Sequence, residues 1–149
     1  MNVISHKLAT ARWPLLVYPA AAKDPTPEAF EALFTRNGWP AAWRNGVLPF
    51  HHYHGNSHEV LGVYEGEVTV QFGGSLTLTA SRGDVLVLPA GTAHKKLASH
   101  GSLGIVGAYP AGSTPDTCRG LPKNHFETEL PVCDPVYGAG GPLFTYWRA

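Results

Sequence analysis

Four histidines fall within eight residues, His51, His52, His54 and His58, and Glu59 follows the last of them. The chain of 149 residues has eight histidines in all, so half of its imidazoles crowd into "HHYHGNSHE". Neutral imidazole and carboxylate are ligand types that suit divalent transition metals. Metal ligation is therefore the chemistry to test first, and spacing sorts the candidates. On a strand, residues two apart share a face, with Cα atoms roughly 6.6 Å apart. His52 and His54 then share one face with Phe50, while His51 and Tyr53 share the other. Two imidazoles so placed can lean onto one ion, at metal–nitrogen distances of about 2.0–2.1 Å.

The loop "GNS" turns the chain, and the return strand "HEVLGVY" presents Glu59 on one face with Leu61 and Val63. A carboxylate opposite a His-x-His pair makes a facial set suited to Fe, Mn, Zn or Ni as the divalent ion. A fourth candidate is His94, which follows the turn Pro89–Gly91 and would return to the level of His52 and His54 in an antiparallel layout. Three histidines and one glutamate leave one or two positions open for water or a substrate. His51 is off phase and reads as an ordinary polar residue. His58 is less constrained: His54-x3-His58 across the loop also permits an approach to an ion. The alternative is an imidazole that orients a ligand from outside, or one that meets solvent. Lys96 shares the strand phase of His94 and would set a cation beside the ion, suited to a carboxylate or enolate. Lys95 and Lys96 as two solvated rim lysines is the plainer reading. Tyr53, Tyr64 and Gln71 are candidates to line a pocket or simply to pack. No second ionisable residue stands at a general-base spacing, so no catalytic residue is assigned.

Those side chains need a scaffold with period two. "VTVQF" alternates Val68, Val70 and Phe72 against Thr69 and Gln71, and "LTLTA" alternates Leu76 and Leu78 against Thr77 and Thr79. The turn "FGGS" joins them as a hairpin. "DVLVLP" and "LGIVGAY" are apolar on both faces, so flanking segments or a second subunit must cover them. Several short strands with turn signals between them point to an antiparallel barrel or sandwich. The 17 Gly and 13 Pro residues, about a fifth of the chain, agree with that. "WPLLVY" reads as a peripheral strand. One helix is expected, in "TPEAFEALFTRNG", with Thr26 as N-cap, Pro27 at the first position and Gly38 at the stop. Its apolar face carries Ala29, Phe30, Leu33 and Phe34. After Tyr109 the pattern becomes Pro/Gly-punctuated yet aromatic, an ordered wrapping tail. Phe144, Tyr146 and Trp147 are read as covering a sheet edge in preference to forming a lid.

Two spacings carry a family resemblance. Gly46-x5-His52-x-His54-x4-Glu59-x6-Gly66 resembles the first motif of the cupin superfamily at every fixed position, and Gly83-x5-Pro89-x-Gly91-x2-His94 resembles the second. Ala98 stands where the family usually has Asn, a departure that removes no ligand. "FEALFTRNGW", "VGAYP" and "DPVYGAGGPL" extend the resemblance to the YjlB-type small bacterial cupins. It implies an all-β fold, an antiparallel double-stranded β-helix or jelly roll, with one short N-terminal helix and an irregular C-terminal tail. It implies a single domain over 1–149, with the barrel core about 46–109. It further implies a metal at the barrel mouth, held by His52, His54, Glu59 and His94, and frequently a homodimer.

Composition narrows the function classes. The 11 basic and 11 acidic residues balance, without the basic footprint of a nucleic-acid binder. No apolar run approaches the ~18 residues of a membrane span, and "MNVISHKLAT" has no apolar signal core, so a cytoplasmic protein is expected. Cys118 and Cys133 lack a C-x-x-C pairing and read as free thiols. The expected function is a metal-dependent enzyme acting on a small oxygen-rich metabolite, with oxygenase, isomerase and decarboxylase chemistry all open. The alternative is a non-catalytic module that binds a small molecule or a metal.

Overall fold

The strand that begins at Glu59 runs on to Phe72 through register shifts at Val63–Glu67, so the return strand and the first hairpin strand are one element of 14 residues. Gly66 makes the join possible. Its φ is +78°, and a Cβ there would stand 2.4 Å from the Ser102 carbonyl oxygen, so the neighbouring backbone approaches where no side chain fits.

The computed structural model describes residues 2–124 and 126–149. Its elements are β1 (Ile4–His6), β2 (Leu15–Tyr18), α1 (Pro27–Arg36), β3 (Ala41–Asn45), β4 (His52–Tyr53), β5 (Glu59–Phe72), β6 (Leu76–Ser81), β7 (Val85–Leu88), β8 (His94–Ala108), β9 (Cys118–Arg119) and α2 (Leu143–Tyr146). The strands form one curled antiparallel sheet in the order β1-β2-β7-β5-β8-β4-β9, with β3 also on β8 and β6 also on β5. This is the all-β jelly-roll architecture that the motifs imply. β3 and β9 add to the strands expected from the sequence. Ala41–Asn45 is exposed along most of its length, so no apolar alternation announces it, and two residues are too few for β9 to show a period.

Period two sorts the sheet into two layers. Leu61, Val63, Val70, Phe72, Leu86 and Leu88 point into the barrel. Val60, Val85, Val87, Val106 and Ala108 point outward, under Phe30, Phe34, Trp39 and Trp147. The strands apolar on both faces are thus covered by α1 and by the tail of the same chain. The helix begins as its sequence directs: the Thr26 hydroxyl accepts the Ala29 N–H at 3.0 Å, and Phe30 and Phe34 are its buried residues.

The tail is fastened by polar groups as well as by rings. The Trp147 indole N–H donates to the Pro14 carbonyl at 2.8 Å, the Trp13 N–H to the Arg148 carbonyl at 2.7 Å, and the two rings stack at 5.5 Å. Asp134, fully buried, accepts the backbone N–H groups of Val136, Tyr137 and Leu143 and the Tyr18 hydroxyl at 2.7–3.0 Å. Trp147, with Phe144 beside it, thereby covers the outer sheet layer, while Tyr146 stays exposed. Cys118 and Cys133 are free thiols. No helix is long and apolar enough to cross a membrane among the described residues.

Asp134→Ala would leave those donors buried without an acceptor. The expected loss is about 3–5 kcal/mol, read as a fall in the urea midpoint at unchanged slope. A change under ~1 kcal/mol would show that the carboxylate does not fasten the tail.

Candidate metal centre

Three strands start at one end of the barrel, and each starts with a polar residue. His52 opens β4, Glu59 opens β5 and His94 opens β8. His52 and His94 are direct cross-strand partners, with ring centroids 4.1 Å apart. Glu59 is buried, at 2% exposure. Its Oε1 lies 3.5 Å from His94 Nε2 and its Oε2 lies 3.5 Å from His54 Nε2. His54 arrives from the loop after β4 and is held there by the second motif: the Gly91 N–H donates to the His54 carbonyl at 2.8 Å. Gly91 has φ +85°, a left-handed conformation that glycine adopts without penalty.

The rings are fixed from behind in the same way. Nδ1 of His52 meets the Phe50 carbonyl at 3.0 Å, Nδ1 of His94 meets the Thr92 carbonyl at 3.0 Å, and Nδ1 of His54 meets the Asp116 carbonyl. A carbonyl oxygen can only accept, so each Nδ1 carries the proton. In the neutral ring the lone pair is then on Nε2, the tautomer set by the partner of the other nitrogen. His54 and His94 aim that atom at Glu59. The Glu59 Oε1 atom is buried and has no hydrogen-bond partner.

The three histidines stand around Glu59 without closing on one point. The His52 and His54 centroids are 6.3 Å apart, as are those of His54 and His94. As placed, no group of three or more His, Cys, Asp or Glu side chains among the described residues is close enough to hold a metal ion.

The charges of the site are interdependent. Burial opposes the Glu59 charge, yet the His54 and His94 imidazoles outweigh it and hold the carboxyl well below its usual range. Burial pulls His54 down, and the Glu59 carboxylate overrides it, so His54 is raised. For His52, burial, followed by the nearby His94, outweighs the upward pull of the Phe50 carbonyl and the Glu59 charge and pushes it down to about 4.

A cavity of about 250 Å³ opens over this group. Beyond the four, its walls are Trp43, Asn45, Gly46, Val47, Leu48, Leu61, Tyr109 and Thr117. Tyr109 and Trp43 escaped the sequence reading. The Trp43 indole N–H donates to the Tyr109 hydroxyl at 3.2 Å, and that hydroxyl lies 3.5 Å from His54 Nε2. Burial, then the Glu59 charge, pushes the phenol up. Asp116 was missed as well, because the bond that holds His54 comes from a main-chain carbonyl in the tail. The Asp116 carboxylate also accepts the Gly55 N–H at 2.7 Å, pinning the loop between β4 and β5. A backbone acceptor 62 residues away leaves no spacing signal in the sequence.

Three residues offered as possible neighbours of the site lie elsewhere. His58 is buried on the far side of β5 from Glu59, between Trp13 and Trp147 at 5.7 and 4.8 Å. Its Nδ1 accepts the Ala90 N–H at 2.9 Å and its Nε2 donates to the Glu129 carbonyl at 2.8 Å. Both nitrogens are spent on the backbone, so His58 fastens the Pro89–Gly91 turn to the tail and touches no member of the site. Tyr53 alternates away from His52 and His54 and packs against Phe126 at 5.5 Å. Lys96 stands opposite Val70, two residues and roughly 6.6 Å along β8 from His94, and does not line the cavity. His51 is likewise outside it.

Comparison with known proteins gives a sequence relative. The chain is 40% identical over 144 residues to the uncharacterised protein YjlB of Bacillus subtilis (strain 168), covering 91% of this chain and 86% of that one. A crystal structure of a DUF861-family protein from Thermotoga maritima aligns at TM-score 0.37 and 24% identity, over 57% of this chain and 92% of that one. No protein-family model matches the chain.

Burial holds His58 down to about 4, against an ordinary value of about 6.5. Because the folded value is depressed, its contribution is complete above pH ~6.5 and is lost as pH falls through ~4, about 3 kcal/mol in all. An NMR titration should find the His58 ring proton without a transition between pH 8 and ~5. A midpoint near 6.5 would overturn the assignment.

Proposed function

This chain belongs to the YjlB family, and we propose that it is a small single-domain cupin in which His52, His54, Glu59 and His94 hold a divalent transition metal. The observation that carries the reading is the uniform back-bonding of the three rings, each Nδ1 on a carbonyl and each Nε2 left with its lone pair. A buried Glu59 oxygen without a hydrogen-bond partner supports it. Donors held about 2.1 Å from one ion stand roughly 3.0–3.4 Å apart. The two Nε2–Oε distances of 3.5 Å are within a few tenths of an ångström of that range.

The protein acts, in this reading, on a small oxygen-rich metabolite bound in the cavity. A metal there supplies Lewis acidity or oxygen activation, compatible with oxygenase, isomerase or decarboxylase chemistry. The chain's own residues hold the ligand set in one tautomer, exclude bulk water with Val47, Leu48 and Leu61, and present the Tyr109 hydroxyl. A second reading, a binding module without turnover, is favoured by one observation. The cavity wall has no carboxylate, lysine or further imidazole beyond the four among the described residues, so no separate proton carrier near neutral pH is at hand.

Elemental analysis of protein purified without added metal should find stoichiometric transition metal. His52→Ala, His54→Ala, Glu59→Ala and His94→Ala should each weaken affinity by more than the roughly 10–100-fold cost of losing an outer partner, and His51→Ala should not. Occupancy should also fall as pH drops below ~6, since only deprotonated imidazoles ligate. Equal occupancy in the four variants and the parent would remove the proposal.

A further inference from the structure

We propose that Tyr109, oriented by Trp43, is the hydrogen-bond donor that recognises a small monoanionic oxygen ligand, a short carboxylate or enolate, whose carbon chain lies against Val47, Leu48 and Leu61. The inference rests on the metal-centre reading and adds the ligand class to it.

Four observations converge. First, the Trp43 N–H donates to the Tyr109 oxygen and so occupies one acceptor site of the hydroxyl, leaving the O–H to be directed elsewhere. Second, that O–H faces the ligand set: His54 Nε2 at 3.5 Å, the outer limit of a hydrogen bond, and the Glu59 carboxylate beyond. When the His54 lone pair and the Glu59 oxygens are committed to an ion, the O–H is free for a third group in the cavity. Third, charge selects a monoanion. One carboxylate, three neutral imidazoles and a divalent ion leave a single positive charge, and no Lys or Arg lines the cavity among the described residues. A dianion would enter without a counter-charge, which is costly in a buried site. Fourth, the remaining wall is apolar, and about 250 Å³ lies below the ~300–1,000 Å³ of sites for drug-sized molecules.

The test is butyrate binding to the Co(II)-loaded protein, followed by the visible absorption of the ion, with butyramide as the uncharged counterpart. The parent protein should bind butyrate and discriminate against butyramide by at least ~10-fold. Tyr109→Phe should keep full Co(II) occupancy and weaken butyrate roughly 10- to 100-fold, the loss of one hydrogen bond to a charged group. Trp43→Phe, which frees the hydroxyl without removing it, should give a smaller loss. Full Co(II) occupancy with equal butyrate affinity in the parent and Tyr109→Phe would overturn the assignment of Tyr109 alone. Equal affinity for butyrate and butyramide would overturn the charge preference. A parent protein that takes up no Co(II) would overturn the metal-centre reading itself.

Discussion

The Glu59 carboxylate is buried at the first position of the strand that pairs with β6, β7 and β8. A charge taken out of water costs several kcal/mol unless partners replace its hydration. No backbone donor does so among the described residues: Oε1 has no hydrogen-bond partner, and the groups nearest the carboxylate are the Nε2 atoms of His94 and His54 at 3.5 Å. The rest of the mouth follows from that requirement. His94 must start β8 at the level of β4, which sets the cross-strand pair with His52. His54 must be carried inward by a loop, and the loop is tied to Gly91 on one side and Asp116 on the other. The motif glycines and the tail serve one electrostatic need.

A second buried polar layer lies behind the sheet and keeps the first in place. His58 follows the loop that carries His54, immediately before Glu59, and alternation sends the two side chains to opposite faces. Glu59 enters the barrel. His58 enters the outer layer with Trp13 and Trp147 and bonds Ala90 and Glu129. The same pair of residues therefore fixes the strand register from both sides, since a one-residue slip would exchange a carboxylate for an imidazole at the mouth. Asp134 plays the corresponding part in the tail, collecting backbone N–H groups that a loop of prolines and glycines leaves without partners. Buried polar groups of this kind add specificity when fully satisfied, because alternatives leave them orphaned.

Much of the barrel and the gathering of His52, His54, Glu59 and His94 at one cavity was legible because period two is a local property. Val68, Val70 and Phe72 announced their face, and His52 and His54 could be separated from His51 by phase alone. α1 was legible from Thr26, Pro27 and its apolar stripe. Other features were not. His58 has the same residue type and neighbourhood as a ligand, and only its two backbone partners, 32 and 71 residues away, reveal its structural role. Lys96 has the phase of His94 but stands too far along β8 to line the cavity. Tyr109 stood in "VGAYP" without a role, and Trp43 and Asp116 stood in no motif, since each acts through a contact with a residue distant in the chain.

The sequence by itself determined which residues alternate inward, where the chain turns, and that two imidazoles and a carboxylate stand at strand starts with a third imidazole two residues after the first. These follow from backbone geometry over a few residues, which any window of the chain contains. The tertiary structure alone decided which nitrogen of His52, His54 and His94 is free, that the tail supplies a wall and a carbonyl to the site, and that no lysine lines the cavity among the described residues. Those are outcomes of long-range packing, where a hydrogen bond forms between groups whose separation in sequence has no periodic signature. Side-chain identity specified the capacity for chemistry; the partner of the second ring nitrogen specified its use.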